Sequence, residues 1–187
     1  MTIEIKKQIQ QCIYIQNLAY TAIANELQKR PSFNSKTVSI AYCDTLVCKD
    51  LDELYEKRHF NYSASLSSFS PNPGEIIPLG FCLYYDKLPV AYVLGDISIE
   101  RKAFEIHFTE ASNFYGNTGL KGWIKYIISI LIGLKEVFAG TNGMIIDNIV
   151  FINPVHDTIE PLTQIGFDFI NNYHKADDAA IYKLSKD

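Results

Sequence analysis

The sequence has few of the residues that build metal centres and disulfide frameworks. Its 187 residues include only four cysteines and four histidines. No two cysteines form a CxxC pair, and none stands at metal-ligand spacing from a histidine. We therefore expect a protein without a bound metal and with four reduced, structural cysteines, which are Cys12, Cys43, Cys48 and Cys82.

A strong charge of one sign and a long apolar run are also missing. Lysine and arginine number 17 against 21 aspartates and glutamates, a net charge of −4, with no basic stripe to gather phosphates. Nucleic acid and anionic membrane are therefore not expected partners. The uncharged run Tyr126 to Leu134 is far below the roughly 20 residues that cross a bilayer. Because Met1 to Lys7 lacks the regions of a secretory signal, we expect a cytoplasmic protein.

What the chain does have is 48% apolar and 13% aromatic residues, enough for one well-packed core. Apolar residues recur every three to four positions over residues 3–28, which predicts an amphipathic helix. Alternation, turn residues and apolar runs predict the elements that follow: a strand at 37–43, a short helix starting at 50, strands at 79–85, 90–99 and 103–111, a helix at 120–138, a strand at 144–152, a helix at 157–165 and strands at 167–173 and 179–185. This order predicts an α+β fold in which residues 1–30 are appended to a core of residues 31–187.

The most informative segment begins with the strand at 103–111. Its apolar side chains alternate with Glu105, His107 and Thr109, which places these three on one face. A loop containing glycines then leads into a helix N-terminus, where unpaired backbone N–H groups and the helix dipole favour an anion. A pyrophosphate would fit there, although the same glycines are equally consistent with a plain turn.

This strand, loop and helix resemble the GNAT superfamily, the Gcn5-related N-acetyltransferases that use acyl-CoA. The resemblance runs from about residue 37 to the C-terminus. It also includes the acidic helix at 50–52, the hairpin at 81–97, the strand ending at Asn153 and the pair Gly166-Phe167. It implies a mixed, mostly antiparallel sheet flanked by helices, with acetyl-CoA or another acyl-CoA as co-substrate. The co-substrate would enter between the strand that bears Glu105 and the strand that ends at Asn153.

The resemblance also implies which residues hold the co-substrate. The strand end would align the acyl arm through its backbone, the loop would bind the pyrophosphate, and an asparagine would add a contact. These residues are Thr109, Glu110, Ala111, Asn117, Thr118, Gly119, Leu120, Lys121, Gly122 and Asn153. The loop diverges from the family pattern. The three defined positions of that pattern are occupied here by Gly116, Gly119 and Lys121, and only Gly119 matches.

The implied reaction is direct attack of an amine, from a small molecule or a peptide, on the thioester. Glu105 matches the general-base position, where burial beside an apolar sheet would raise the pKa of its carboxyl. His107 is a second base, a substrate contact or a structural histidine. The usual tyrosine acid is replaced by Leu162. Other candidates for the acid are Tyr173, His156 and Tyr115.

Two alternative functions accompany this interpretation, and the burial of the first helix is a separate open question. The missing tyrosine and the divergent loop are consistent with a degenerate GNAT-like domain that serves as a binding or regulatory module. The segment Pro89 to Tyr92 slightly resembles GNAT-like activators of bacterial toxins, which would imply a longer acyl chain and protein lysines. The apolar stripe of the first helix must be buried, either on its own domain or in a homodimer.

Overall fold

The computed structural model describes residues 3–33, 35–63, 77–113, 122–174 and 177–184. These residues form four α-helices and seven strands: α1 (Ile3–Gln28), β1 (Val38–Tyr42), α2 (Thr45–Glu56), β2 (Ile77–Tyr85), β3 (Leu88–Ser98), β4 (Ala103–Ala111), α3 (Trp123–Asn142), β5 (Asn148–Ile152), α4 (His156–Ile165), β6 (Asp168–His174) and β7 (Asp177–Lys183). The strands form one sheet in the order β1-β2-β3-β4-β5-β7-β6. Only β4 and β5 pair in parallel. The predicted mixed, mostly antiparallel α+β fold is confirmed.

Helix α1 has the bounds that its apolar periodicity predicts, and its buried face joins the main core. Ile15, Ala19, Ile23 and Leu27 belong to the same buried cluster as side chains of β2, β3, β4 and α3. Helix α3 approaches α1 so closely at Gly133 that an added Cβ would lie 2.9 Å from Ile23. The buried face of α1 is thus covered within this chain, whereas Tyr14 and Leu18 are exposed. The domain boundary at residue 30 stays a prediction.

Helix α2 begins earlier than the sequence predicts. We expected the acidic residues from Asp50 onward to form its first turn. Instead, Asp44 is the N-cap, and its Oδ1 accepts the backbone N–H groups of Leu46 and Val47, each at 2.9 Å. An N-cap aspartate satisfies orphan donors directly, so it fixes the start of a helix more strongly than acids one turn later.

Two other boundaries differ because of local turn chemistry. The turn between β2 and β3 consists of Asp86 and Lys87, with φ of 55° and 64°, so Pro89 lies inside β3 rather than in the turn. Helix α3 continues past Gly140 and is capped by Gly143 at φ 71°. Gly143 ends the helix because its backbone is left-handed, whereas Gly140 has helical geometry and only weakens the helix.

The cysteines and the apolar helix behave as the sequence predicts. All four cysteines are free thiols. Among the described segments, no helix combines the length and apolar character needed to cross a bilayer. The apolar face of α3 is buried against the sheet and α1, through Ile127, Leu131, Leu134 and Phe138.

Candidate functional site

The site is organised by a bulge in β4. Leu94 of β3 pairs with Phe108, and the next residue, Gly95, pairs with Ile106, so His107 is an extra residue in the ladder. A Cβ on Gly95 would lie 2.0 Å from the carbonyl oxygen of Glu105. The bulge therefore brings the two backbones so close that only glycine fits at position 95.

The bulge changes which side chains share a face of the sheet. Along β3, Asp96, Leu94 and Tyr92 point to one face, and their partners on β4 are Glu105, Phe108 and Glu110. The expected uninterrupted alternation is wrong, because Phe108 and Glu110 lie on the face of Glu105. An unpaired extra residue reverses the parity of every residue after it.

Strands β4 and β5 separate at the bulge. Their parallel pairing runs from Ala103 with Asn148 to Ile106 with Phe151, and no later described residue of β4 pairs with β5. A cavity of about 540 Å³ opens where they diverge. It is lined by β4 from Ile106 to Ala111, by Trp123 at the start of α3, and by residues 151–158. Residues 61 and 62, which follow α2, complete the lining.

The cavity brings together part of the predicted co-substrate set. Thr109, Glu110, Ala111 and Asn153 all line it. The hydroxyl of Thr109 donates to the carbonyl of Tyr92 at 2.9 Å. Gly122 is the left-handed N-cap of α3, at φ 71°. The remaining loop residues lie outside the described residues, and these are Asn117, Thr118, Gly119, Leu120 and Lys121.

Asn153 uses its side chain within the protein. Its Nδ2 donates to Asp177 Oδ1 at 2.8 Å, and its Oδ1 accepts the backbone N–H of Asp178 at 3.0 Å. Its backbone has φ 46°, in the left-handed region. These bonds tie the end of β5 to the start of β7. Asn153 therefore shapes the rim of the cavity, and its side-chain amide is already hydrogen-bonded within the protein.

Glu105, the predicted base, is buried and does not line the cavity. Both of its carboxylate oxygens accept bonds from the Arg101 guanidinium, with Nη2 2.7 Å from Oε2, and the hydroxyl of Tyr173 donates to Oε1 at 2.9 Å. Burial acts to raise the pKa of this carboxyl, but these donors outweigh burial and lower the pKa below its ordinary value. The expected upward shift is therefore wrong.

His107 and Asp96 form a second polar pair at the same point of the sheet. The imidazole Nε2 lies 2.8 Å from Asp96 Oδ2, and the ring lines the cavity with a quarter of its side chain exposed. Asp96 is only 2% exposed, and burial raises the pKa of its carboxyl despite the opposing bond from His107. A buried carboxylate that holds an imidazole at a cavity wall is an arrangement suited to proton transfer.

Asp96, Glu105 and His107 place one potential metal-ligand atom each within 4.8 Å of one another. The arrangement differs from a ligand set, because Arg101 donates to both oxygens of Glu105 and supplies the positive charge. The geometry is that of an ion-paired polar network.

The positions considered for the acid are dispersed. Leu162 is fully buried in the core. Tyr173 donates its hydroxyl to Glu105, and burial raises the pKa of that hydroxyl well above its ordinary range. His156 lines the cavity and is almost wholly exposed, 3.8 Å from Asp157, and Tyr115 lies outside the described residues.

Sequence reasoning missed Asp96, Arg101 and Trp123. Asp96 is an acid inside an otherwise apolar strand, a signal that could have marked it, because a buried acid needs a partner. Arg101 sits in the turn before β4, and nothing local to that turn indicates that it folds back onto Glu105. Trp123 gives no signal beyond opening an apolar helix.

Comparison with known proteins supports the fold. No family sequence model matches the chain, and no curated sequence matches it significantly. Among solved structures, the ribosomal-protein-S18-alanine N-acetyltransferase from Escherichia coli is 13% identical with a TM-score of 0.53, covering 81% of this chain and 96% of its own. The GNAT domain of S. lividans PAT is 10% identical with a TM-score of 0.53, covering 81% of this chain and 93% of its own. A probable acetyltransferase from Staphylococcus epidermidis is 15% identical with a TM-score of 0.51, covering 80% of this chain and 100% of its own. The chain therefore has the GNAT fold.

Proposed function

We propose that the chain is an N-acyltransferase that moves an acetyl group from acetyl-CoA to an amine. The observation that carries the proposal is the cavity between β4 and β5, which opens where their pairing stops at Ile106 and Phe151. The divergence leaves the edge of β4 from His107 to Ala111 without a partner in β5. Backbone groups of such an edge are suited to bind an extended, amide-containing chain, as the pantetheine arm is.

The chemistry needs an activated acyl group and a neutral amine. Acetyl-CoA supplies the thioester carbonyl, and the protein supplies orientation and a proton acceptor. The start of α3 faces the same cavity through Trp123, so its backbone N–H groups are suited to receive the phosphates, as the loop at 117–122 is proposed to do.

Two side chains compete for the role of proton acceptor. Glu105 matches the family position, but its carboxylate is held by Arg101 and Tyr173. His107 lines the cavity and is oriented by Asp96, which would stabilise the imidazolium after proton transfer. We favour His107 as the acceptor and assign Glu105 to the neighbouring ion-paired network with Arg101 and Tyr173.

Binding of acetyl-CoA is the first test. Trp123 is the single tryptophan of the chain and lines the cavity, so its fluorescence should change as acetyl-CoA binds. A ligand at 100 times its dissociation constant should also stabilise the fold by about 2.7 kcal/mol. Gly119→Glu, which adds a negative charge to the proposed phosphate loop, should weaken binding at least tenfold. Unchanged fluorescence and melting temperature with acetyl-CoA would contradict the proposal.

Measurements of turnover then distinguish between His107 and Glu105 as the proton acceptor. A panel of spermidine, glycinamide and a tripeptide with a free α-amine can be assayed by release of the CoA thiol. We expect His107→Gln to lower kcat/KM by 10²- to 10⁴-fold, the usual range for a general base. Asp96→Asn should move the pH profile, because it removes the charge that favours the imidazolium. A larger loss in Glu105→Gln than in His107→Gln would restore Glu105 as the base.

The second candidate function is a binding or regulatory module without catalysis. One observation favours it: the carboxylate at the expected base position is fully engaged, and Leu162 at the expected acid position is buried. This function predicts acetyl-CoA binding without thiol release for any amine of the panel, or no binding at all.

A further inference from the structure

The segment that follows α2 is held against the sheet by one buried carboxylate. The backbone N–H of Asn61 donates to Glu110 Oε1 at 2.6 Å, and that of Tyr62 donates to Oε2 at 3.3 Å. The hydroxyl of Tyr92 also donates to Oε2, at 3.2 Å. Glu110 is only 8% exposed, and its described hydrogen-bond donors are all neutral. Its charge is thus used to bind backbone groups of a neighbouring segment.

Asn113, three residues further along, reinforces the same attachment. Its Nδ2 donates to the carbonyl of Arg58 and to Asn61 Oδ1, both at 3.1 Å. Its backbone N–H donates to the carbonyl of His59 at 2.6 Å. The end of β4 therefore binds residues 58–62 through side chains at two positions, although these residues belong to no strand or helix.

The attached residues form a wall of the cavity. Asn61 and Tyr62 both line it, and both are exposed to solvent. The ring of Tyr62 packs edge-on against Phe108 of β4, with centroids 5.6 Å apart. Trp123 at the start of α3 and residues 151–158 form other parts of the same lining.

The bonds to Glu110, together with those to Asn113 and the buried ring of Phe60, fix the position of this wall. Two consecutive backbone N–H groups donate to the two oxygens of one carboxylate, and no apolar side chain could accept these hydrogen bonds. Loops without regular structure take their geometry from such side-chain contacts. Loss of the carboxylate would leave these two donors to water and loosen the wall at Asn61 and Tyr62.

We propose that Glu110 is a positioning residue that holds Asn61 and Tyr62 as the acceptor-side wall of the cavity. The proposal rests on the proposed acetyl transfer, because it divides the cavity into a side for the co-substrate at α3 and a side for the amine at residues 61–62. It adds a role for the side chain of Glu110 to the predicted role of its backbone as a contact of the acyl arm.

Hydrogen exchange tests the attachment without any ligand. In Glu110→Ala, the amides of Asn61 and Tyr62, followed by NMR, should exchange at least tenfold faster than in the unaltered chain. Glu110→Gln keeps one acceptor oxygen, so it should restore part of that protection. Glu100→Gln makes the same chemical change at an exposed site and should leave both amides unaffected. Exchange within twofold of the unaltered chain in Glu110→Ala would overturn the proposal.

Kinetics test the division of the cavity. For the panel amine with the highest turnover, Glu110→Ala should raise the KM for the amine at least tenfold and leave the dissociation constant of acetyl-CoA, read from Trp123 fluorescence, within twofold. An equal loss in both would overturn the acceptor-side assignment. Absence of acetyl-CoA binding in the unaltered chain would instead defeat the proposed function, while the exchange result would still decide whether Glu110 holds the wall.

Discussion

The two halves of β4 differ in almost every property although they belong to one nine-residue strand. From Ala103 to Ile106 the strand pairs with both β3 and β5, and each residue is at most 3% exposed. From Phe108 to Ala111 it pairs with β3 alone, and these residues line the cavity together with the bulge residue His107. One inserted residue at the bulge separates a core strand from a candidate site.

The carboxylates of the two halves show how environment decides ionisation. Glu105 and Glu110 are both buried, and burial alone would raise the pKa of each. Arg101 and Tyr173 lower the pKa of Glu105, whereas the neutral donors around Glu110 leave its pKa raised. The half in the core thus keeps a firmly charged group, and the half at the cavity keeps one that is more easily protonated.

Adding a side chain at the bulge should have the largest effect on stability. Gly95→Ala puts a Cβ 2.0 Å from the carbonyl oxygen of Glu105, so either the bulge or the strand pairing must shift. We expect a loss of about 4 kcal/mol or more in the free energy of unfolding, measured by urea denaturation. Gly140→Ala is the control, since no atom lies within 4 Å of an added Cβ there and helix propensity predicts a gain of up to about 1 kcal/mol. Equal stability of the two variants would contradict this account of the bulge.

Removing the cation from the core half should have the next largest effect. Arg101→Met leaves Glu105 buried without its charged partner, which should cost about 2–3 kcal/mol, less than a fully buried pair because the Arg101 side chain is 32% exposed. Lys36→Met breaks an exposed pair with Asp86, and it should cost less than about 0.5 kcal/mol. Urea denaturation at neutral pH measures both losses, and similar values would show that burial does not distinguish the two pairs.

Acidification should produce the smallest effect. A carboxyl whose pKa is lowered by folding stabilises the native state above its unfolded pKa, and this contribution disappears as the pH falls through its folded pKa. The stability difference between the unaltered chain and Glu105→Gln should therefore be full at pH 7 and shrink below about pH 4. Because Asp96 and Glu110 are present in both proteins, the difference reports mainly on Glu105. A difference that grows on acidification would contradict the lowered pKa.

Much of the fold could be predicted from local patterns. The bounds of α1 and β4 match the structure, because an amphipathic stripe and a strand bounded by turn residues are properties of neighbouring residues. The start of α2 was missed although Asp44 was visible, since a cap and a nearby acidic cluster give competing local signals. The candidate site was predicted only in part: β4 and Asn153 line the cavity, but Glu105 does not.

The sequence by itself determined the order of elements, the reduced cysteines and the segment that borders the cavity, because periodicity, turn chemistry and composition act over short stretches of chain. Only the tertiary structure decided that His107 is the extra residue of a bulge, that Arg101 and Tyr173 hold Glu105, and that Glu110 binds the segment after α2. Strand register, ion pairing and the direction of a pKa depend on groups that lie far apart in the chain, as Tyr173 and Glu105 do at a separation of 68 positions. Such contacts form only when the sheet brings distant segments together.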